Sequence, residues 1–137
     1  MKLQERNGIE MCIDLHTHSK EYGAFAYCCV DSQECRELPE MISSYSPFFR
    51  YRACTFGIVG DKKHTARAAI FGITNSINTL TVEVSAYGFK LHDRRYAFPF
   101  TPGNIRNIAR AILKGYYSCK KQLQLEVEDE LIEIVEG

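Results

Sequence analysis

The sequence predicts an α/β fold: helices layered on a mixed, mostly parallel sheet. Three observations predict it. Residues 78–86, NTLTVEVSA, alternate strictly, with Leu80, Val82 and Val84 on one face and Thr79, Thr81, Glu83 and Ser85 on the other. Residues 102–123 instead carry Ile105, Ile108, Ala109, Ile112, Leu113, Tyr116 and Tyr117 at helical spacing. Between the N-terminus and that helix, strand-like and helix-like segments take turns, the order expected of layered α/β domains.

The first strand is read over residues 8–16. Met11, Ile13 and Leu15 face one way, and Cys12, Asp14, His16 and His18 the other. The apolar run AFAYCCV, residues 24–30, reads as a second strand. Residues 32–49 place Leu38, Met41, Ile42 and Tyr45 at helical spacing, with Pro47 near the stop. Residues 51–59, YRACTFGIV, alternate again and are expected to form a strand. GDKKH is a turn, and residues 65–74 are a helix. The strand at 78–86 follows, then a loop holding Tyr87 to Thr101, then the long helix with Asn104 as its expected N-cap. The acidic end either extends this helix or frays from it. No internal repeat or low-complexity segment interrupts the chain.

The 137 residues suffice for one domain with a real core. Hydrophobic residues make up 45% and charged residues 25%, which argues against general disorder. Lys+Arg and Asp+Glu total 17 each, so no net field points to nucleic acid. The charge is nevertheless segregated. Residues 90–121 carry eight basic residues against Asp93 alone, and residues 122–137 carry six acidic residues and no base. A solvated basic helix face followed by an acidic tail accounts for this, and so does a basic surface facing an acidic substrate. No apolar run is long enough to span a membrane, and the N-terminus has no apolar stretch of the secretory kind. None of the six cysteines forms a C-x-x-C pair, and several sit in apolar runs. A reducing, cytoplasmic compartment is therefore expected.

The chemistry concentrates in CIDLHTHS, residues 12–19. Ligands of open α/β sheets bind beyond the carboxyl ends of strands, where His16 falls, and a neutral imidazole there suits zinc. A hydrogen-bonded structural histidine is the competing reading.

Two resemblances meet in this stretch. IDLHTHS resembles the first metal motif of the polymerase-and-histidinol-phosphatase superfamily and its amidohydrolase relatives, where both histidines bind metal. That resemblance implies a metal-dependent phosphoesterase using His16 and His18. However, the chain continues KEYGAF, and only His64 and His92 remain as further histidines. The length also cannot build a closed eight-stranded β/α barrel.

The longer resemblance is to the cytosolic carboxypeptidases, a branch of the zinc carboxypeptidase A superfamily. DLHTHSKEYGAFAYCC is similar to that branch's Asp-x-His-Gly-His-Ser segment. LPEMISSYSPFFRYRACTFGI is similar to its helix-then-strand segment. KKHTARAAIFGITNSINTLTVEVSAYGF is similar to its Thr-Ala-Arg segment and the strand bearing the catalytic glutamate. The match runs from about residue 12 to residue 116. It implies the C-terminal half of a three-layer αβα zinc exopeptidase domain within residues 1–121, followed by an acidic tail or helix extension over 122–137.

The resemblance further implies that His16 is a zinc (Zn2+) ligand and that His18 is not. Glu83 matches the general base and Arg67 an arginine that faces an acidic substrate side chain. A surface carboxylate and a solvated helix arginine are the plainer readings of those two residues. The implied substrates are acidic protein tails, tubulin-like or polyglutamate, and the implied activity is removal of C-terminal or side-chain glutamates.

The family's other zinc ligands, an H-x-x-E pair, are expected upstream of His16. The only such spacing here, His18 to Glu21, lies after it. The chain by itself is therefore expected to be inactive unless the missing upstream half joins it. A non-catalytic chain that acts only by binding is the third reading.

Overall fold

The computed structural model describes residues 8–58, 60–91 and 95–136. His92, noted above as a spare histidine, lies outside them. Three strands form one sheet among the described residues: β1 (Cys12–His18), β2 (Ala24–Cys28) and β3 (Thr79–Ser85), in the order β1-β3-β2. β3 is thus the central strand. It runs parallel to β1 and antiparallel to β2. The direction of β2 follows from the five residues, 19–23, that separate it from β1. A parallel return needs a crossover of about a dozen residues or more, so a shorter connection forces the reversal.

Helices cover both faces. α1 (Gln33–Tyr45) and α3 (Pro102–Glu136) pack on the face built from Ala24, Ala26, Cys28, Leu80 and Val82, and they contribute Leu38, Ile42, Ile108, Ala111 and Ile112 to that core. Leu38, Ile42, Leu80 and Val82 are at most 1% exposed, so this is the layer that removes most apolar surface from water. The two helices meet closely at Gly115, where an added Cβ would come within 3.1 Å of the Ile42 backbone nitrogen. α2 (Ala66–Thr74) lies on the opposite face. Leu15 belongs to the core face of β1 by alternation but is 62% exposed.

The helix ends are capped by their own sequence. Ser32 accepts the Cys35 amide at 3.2 Å, and Thr65 accepts the Ala68 amide at 3.3 Å. α2 ends on Asn75 in the left-handed region, φ 52°. Asn104 is not the N-cap of α3. Thr101 holds that place: its hydroxyl accepts the Asn104 amide at 3.2 Å, and the Asn104 side chain accepts the Thr101 amide at 2.9 Å. This is a reciprocal capping box with Pro102 at the first helical position.

The strand expected over residues 51–59 is also corrected. Val59 lies outside the described residues; residues 49–55 do lie along the free edge of β2, through bridges Ala24–Phe49 and Tyr27–Thr55. Between those bridges β2 advances from Ala24 to Tyr27 while its partner advances from Phe49 to Thr55. The surplus residues are taken up in a 3-10 turn, Tyr51–Ala53, so no continuous ladder forms.

A second tight feature closes the end of the sheet. Gly88 has φ +89°, and a Cβ there would stand 1.9 Å from the Phe98 carbonyl oxygen. Only glycine fits this turn, which lets Phe89 and Phe98 exchange both backbone hydrogen bonds at 2.9 Å.

Candidate functional site

The polar face of the sheet is fixed by register. His16 pairs with Glu83 across the parallel β1/β3 ladder, and Phe25 pairs with Glu83 from the other side. Residues paired in register point to the same face. Asp14, Thr81 and Tyr27 extend that face by the same alternation. α2 and the 3-10 turn Gly60–His64 wall it off, leaving a pocket of about 320 Å³. Asp14, His16, Glu83, Tyr27, Lys62 and Arg67 are among the residues that line it. Residues distant in sequence, His16, Arg67 and Glu83, therefore meet in one pocket.

His16 is held by its own strand. His16 Nε2 stands 2.9 Å from the Asp14 carboxylate, an ion pair when the imidazole is protonated. A carboxylate beside an imidazole is the kind of neighbour that accompanies metal-binding histidines. The His16 side chain is 54% exposed.

His18 is used differently. Its Nδ1 accepts the Lys20 amide at 2.9 Å, and its ring meets Phe25 edge-on at 5.0 Å. It does not line the pocket. Glu21 ion-pairs with Arg50 at 3.3 Å, so the His18–Glu21 spacing does not form a paired site.

Arg67 is the only buried residue of α2, at 2% exposure. The plain reading of a solvated helix arginine does not describe it. Its Nη1 donates to the Cys28 carbonyl at 2.5 Å and contacts Cys29 Sγ at 3.8 Å, while Nε has no hydrogen-bond partner. Burial pushes the Cys29 thiol up, against the pull of the Arg67 cation. The thiol thus stays protonated and supplies no counter-charge. A guanidinium so buried without a carboxylate is costly unless something anionic joins it.

The setting of Arg67 depends on Thr65. The Thr65 hydroxyl donates to the Lys62 carbonyl at 2.8 Å while accepting the Ala68 amide, so it ties the 3-10 turn to the first turn of α2. Thr65→Ala should lower stability by about 0.5–2 kcal/mol, as lost N-caps do. Urea midpoints of the two proteins measure this. Equal midpoints would mean that the cap is dispensable.

The donor set can be weighed against zinc. Catalytic zinc sites use three protein ligands and an open position. This pocket offers one imidazole, and no group of three His, Cys, Asp or Glu side chains among the described residues could hold a metal ion. These residues do not make a complete zinc site.

Asp14, Lys62, Thr65 and Tyr27 also belong to the site. Asp14 could be found from its i, i+2 spacing to His16. The other three depend on how α2 sits over the sheet, which the sequence pattern does not carry.

No protein-family profile matches the chain. Among curated proteins it is similar to cytosolic carboxypeptidase 3 of Bos taurus, 33% identical over 132 residues, covering 89% of this chain and 12% of that protein. It is also similar to cytosolic carboxypeptidase 3 of Mus musculus, 30% identical over 106 residues, covering 69% of this chain and 10% of that protein. The chain thus spans about an eighth or less of the length of these relatives. Among solved structures it resembles a metallo-carboxypeptidase from Burkholderia cenocepacia, with TM-score 0.66 and 15% identity, covering 88% of this chain and 33% of that one. At that identity the likeness establishes the fold.

Proposed function

The chain being cytosolic carboxypeptidase-like, with part of a metallocarboxypeptidase fold, we propose that it supplies the base and specificity side of a zinc carboxypeptidase site. The observation that carries this reading is the meeting of His16, Arg67 and Glu83 in one pocket. Each has a role suited to its surroundings. His16, with Asp14 beside it, offers an imidazole nitrogen as one zinc ligand. Glu83, the one carboxylate of the central strand, accepts the proton of the attacking water. Arg67 binds the carboxylate of an acidic residue at the substrate's C-terminus. The remaining zinc ligands come from outside the described residues. The substrates are acidic protein tails, tubulin-like or polyglutamate, in the cytoplasm.

A histidine-resolved zinc titration tests the metal assignment. In the NMR spectrum of the chain labelled at histidine, zinc should shift His16 and leave His18 in place, because His18 Nδ1 is taken by the Lys20 amide. Binding should be weak, since one imidazole competes poorly with water and buffer. The response should vanish in His16→Ala. Parallel shifts of His16 and His18 with one dissociation constant would sink this reading and favour the two-histidine phosphoesterase site.

A further inference from the structure

Two cations share the pocket, and neither is within ion-pair distance of a carboxylate: the ion pairs among the described residues join His16 to Asp14, Arg36 to Asp31, Arg50 to Glu21 and Lys120 to Glu10. One of the two is Arg67. The other is Lys62, from the 3-10 turn Gly60–His64. Both lie near the Tyr27 ring, with Lys62 Nζ 4.7 Å and Arg67 Cζ 5.8 Å from its centroid. Two like charges near one ring repel each other, and an anion that contacts both offsets that repulsion. The backbones that carry them are tied together, because Thr65 binds the Lys62 carbonyl and caps the helix that carries Arg67 two residues later.

The two cations differ in freedom. Arg67 is buried and pinned to the Cys28 carbonyl, so it can define a position but cannot follow a ligand. Lys62 is exposed, on a flexible four-carbon stem whose ammonium rests over Tyr27. From this juxtaposition we propose that Lys62 is a second specificity residue, closing over the acidic side chain that Arg67 receives, so that both cations hold one substrate carboxylate. The proposal rests on the carboxypeptidase reading of the pocket. It adds a cation that comes from the turn before α2 rather than from the helix, and it makes Tyr27 the platform from which that cation moves.

The test uses the full chain and an N-acetylated triglutamate peptide, followed by titration calorimetry. Lys62→Met keeps the stem and removes the charge. It should weaken binding about three- to tenfold, a discounted value for an exposed ion pair. Lys62→Arg should bind within about twofold of wild type, and a triglutamine peptide should not distinguish the variants. Lys62 is exposed, so these variants should fold as wild type does, which circular dichroism checks. If Lys62→Met binds triglutamate as wild type does while Arg67→Met loses it, Lys62 has no part in recognition and the Arg67 subsite stands alone. If neither substitution changes binding, the acid subsite itself fails, and the Lys62 role with it. Absence of any triglutamate binding by the wild-type chain also overturns the proposal.

Discussion

Residues 1–137 supplied with zinc are expected to release glutamate from a polyglutamate-tailed peptide no faster than zinc in buffer. The argument is about ligand number. The pocket offers one imidazole, His16, whereas catalytic zinc is held by three protein groups. No such group of three exists among the described residues. Glu83 can accept a proton, but it then has no activated nucleophile beside it. Most of the roughly million-fold or greater acceleration that an enzyme provides should therefore be missing. The assay is glutamate release with and without zinc, repeated with Glu83→Gln. Zinc-dependent turnover that disappears in Glu83→Gln would show the expectation wrong. It would also require His18 to give up the Lys20 amide, Glu21 to leave Arg50, or a second chain to complete the site.

Much of this site can be read from periodicity, and its failures have identifiable physical causes. The strict alternation of 79–85 placed Glu83 on the polar face of β3 correctly, because a period of two admits only two choices. Alternation could not say that β3 is central, nor that Glu83 stands opposite His16, since pairing is a tertiary choice. The reversal of β2 was legible in principle from its short connection to β1. The described part of the segment, 51–58, misled because alternation survives in a chain that turns at Tyr51–Ala53 and bridges its neighbour there at Thr55 alone. The N-terminus of α3 misled because Thr101 and Asn104 are both capping residues, and only their reciprocal bonds decide which one caps. Arg67 is the instructive case. An arginine among Ala, Ala and Ile on a short helix reads as the solvated residue, yet it is the one α2 buries. Its burial depends on the carbonyl at Cys28, which no local pattern announces.

That burial changes how the role of Arg67 must be tested. A charge reversal, Arg67→Glu, would place a carboxylate against the Cys28 carbonyl and in the same pocket as Glu83, so lost recognition could not be separated from lost folding. Arg67→Met keeps much of the volume and removes the charge. It leaves the Cys28 carbonyl without this donor, a cost of about 1–3 kcal/mol, partly offset because the unpaired Nε leaves with the guanidinium. Urea unfolding should therefore show a lower midpoint with an intact cooperative transition. Below that transition, affinity for an acidic peptide should fall roughly 10- to 150-fold, the value of a charge-assisted contact of about 1.5–3 kcal/mol. The two readouts separate the roles. A lower midpoint with unchanged preference for glutamate over glutamine peptides would leave Arg67 as a structural pin for α2 and remove it from the site. Lost preference in a variant that unfolds at the wild-type midpoint would mean that its bond to Cys28 contributes no net stability, and that the guanidinium is kept buried for the ligand.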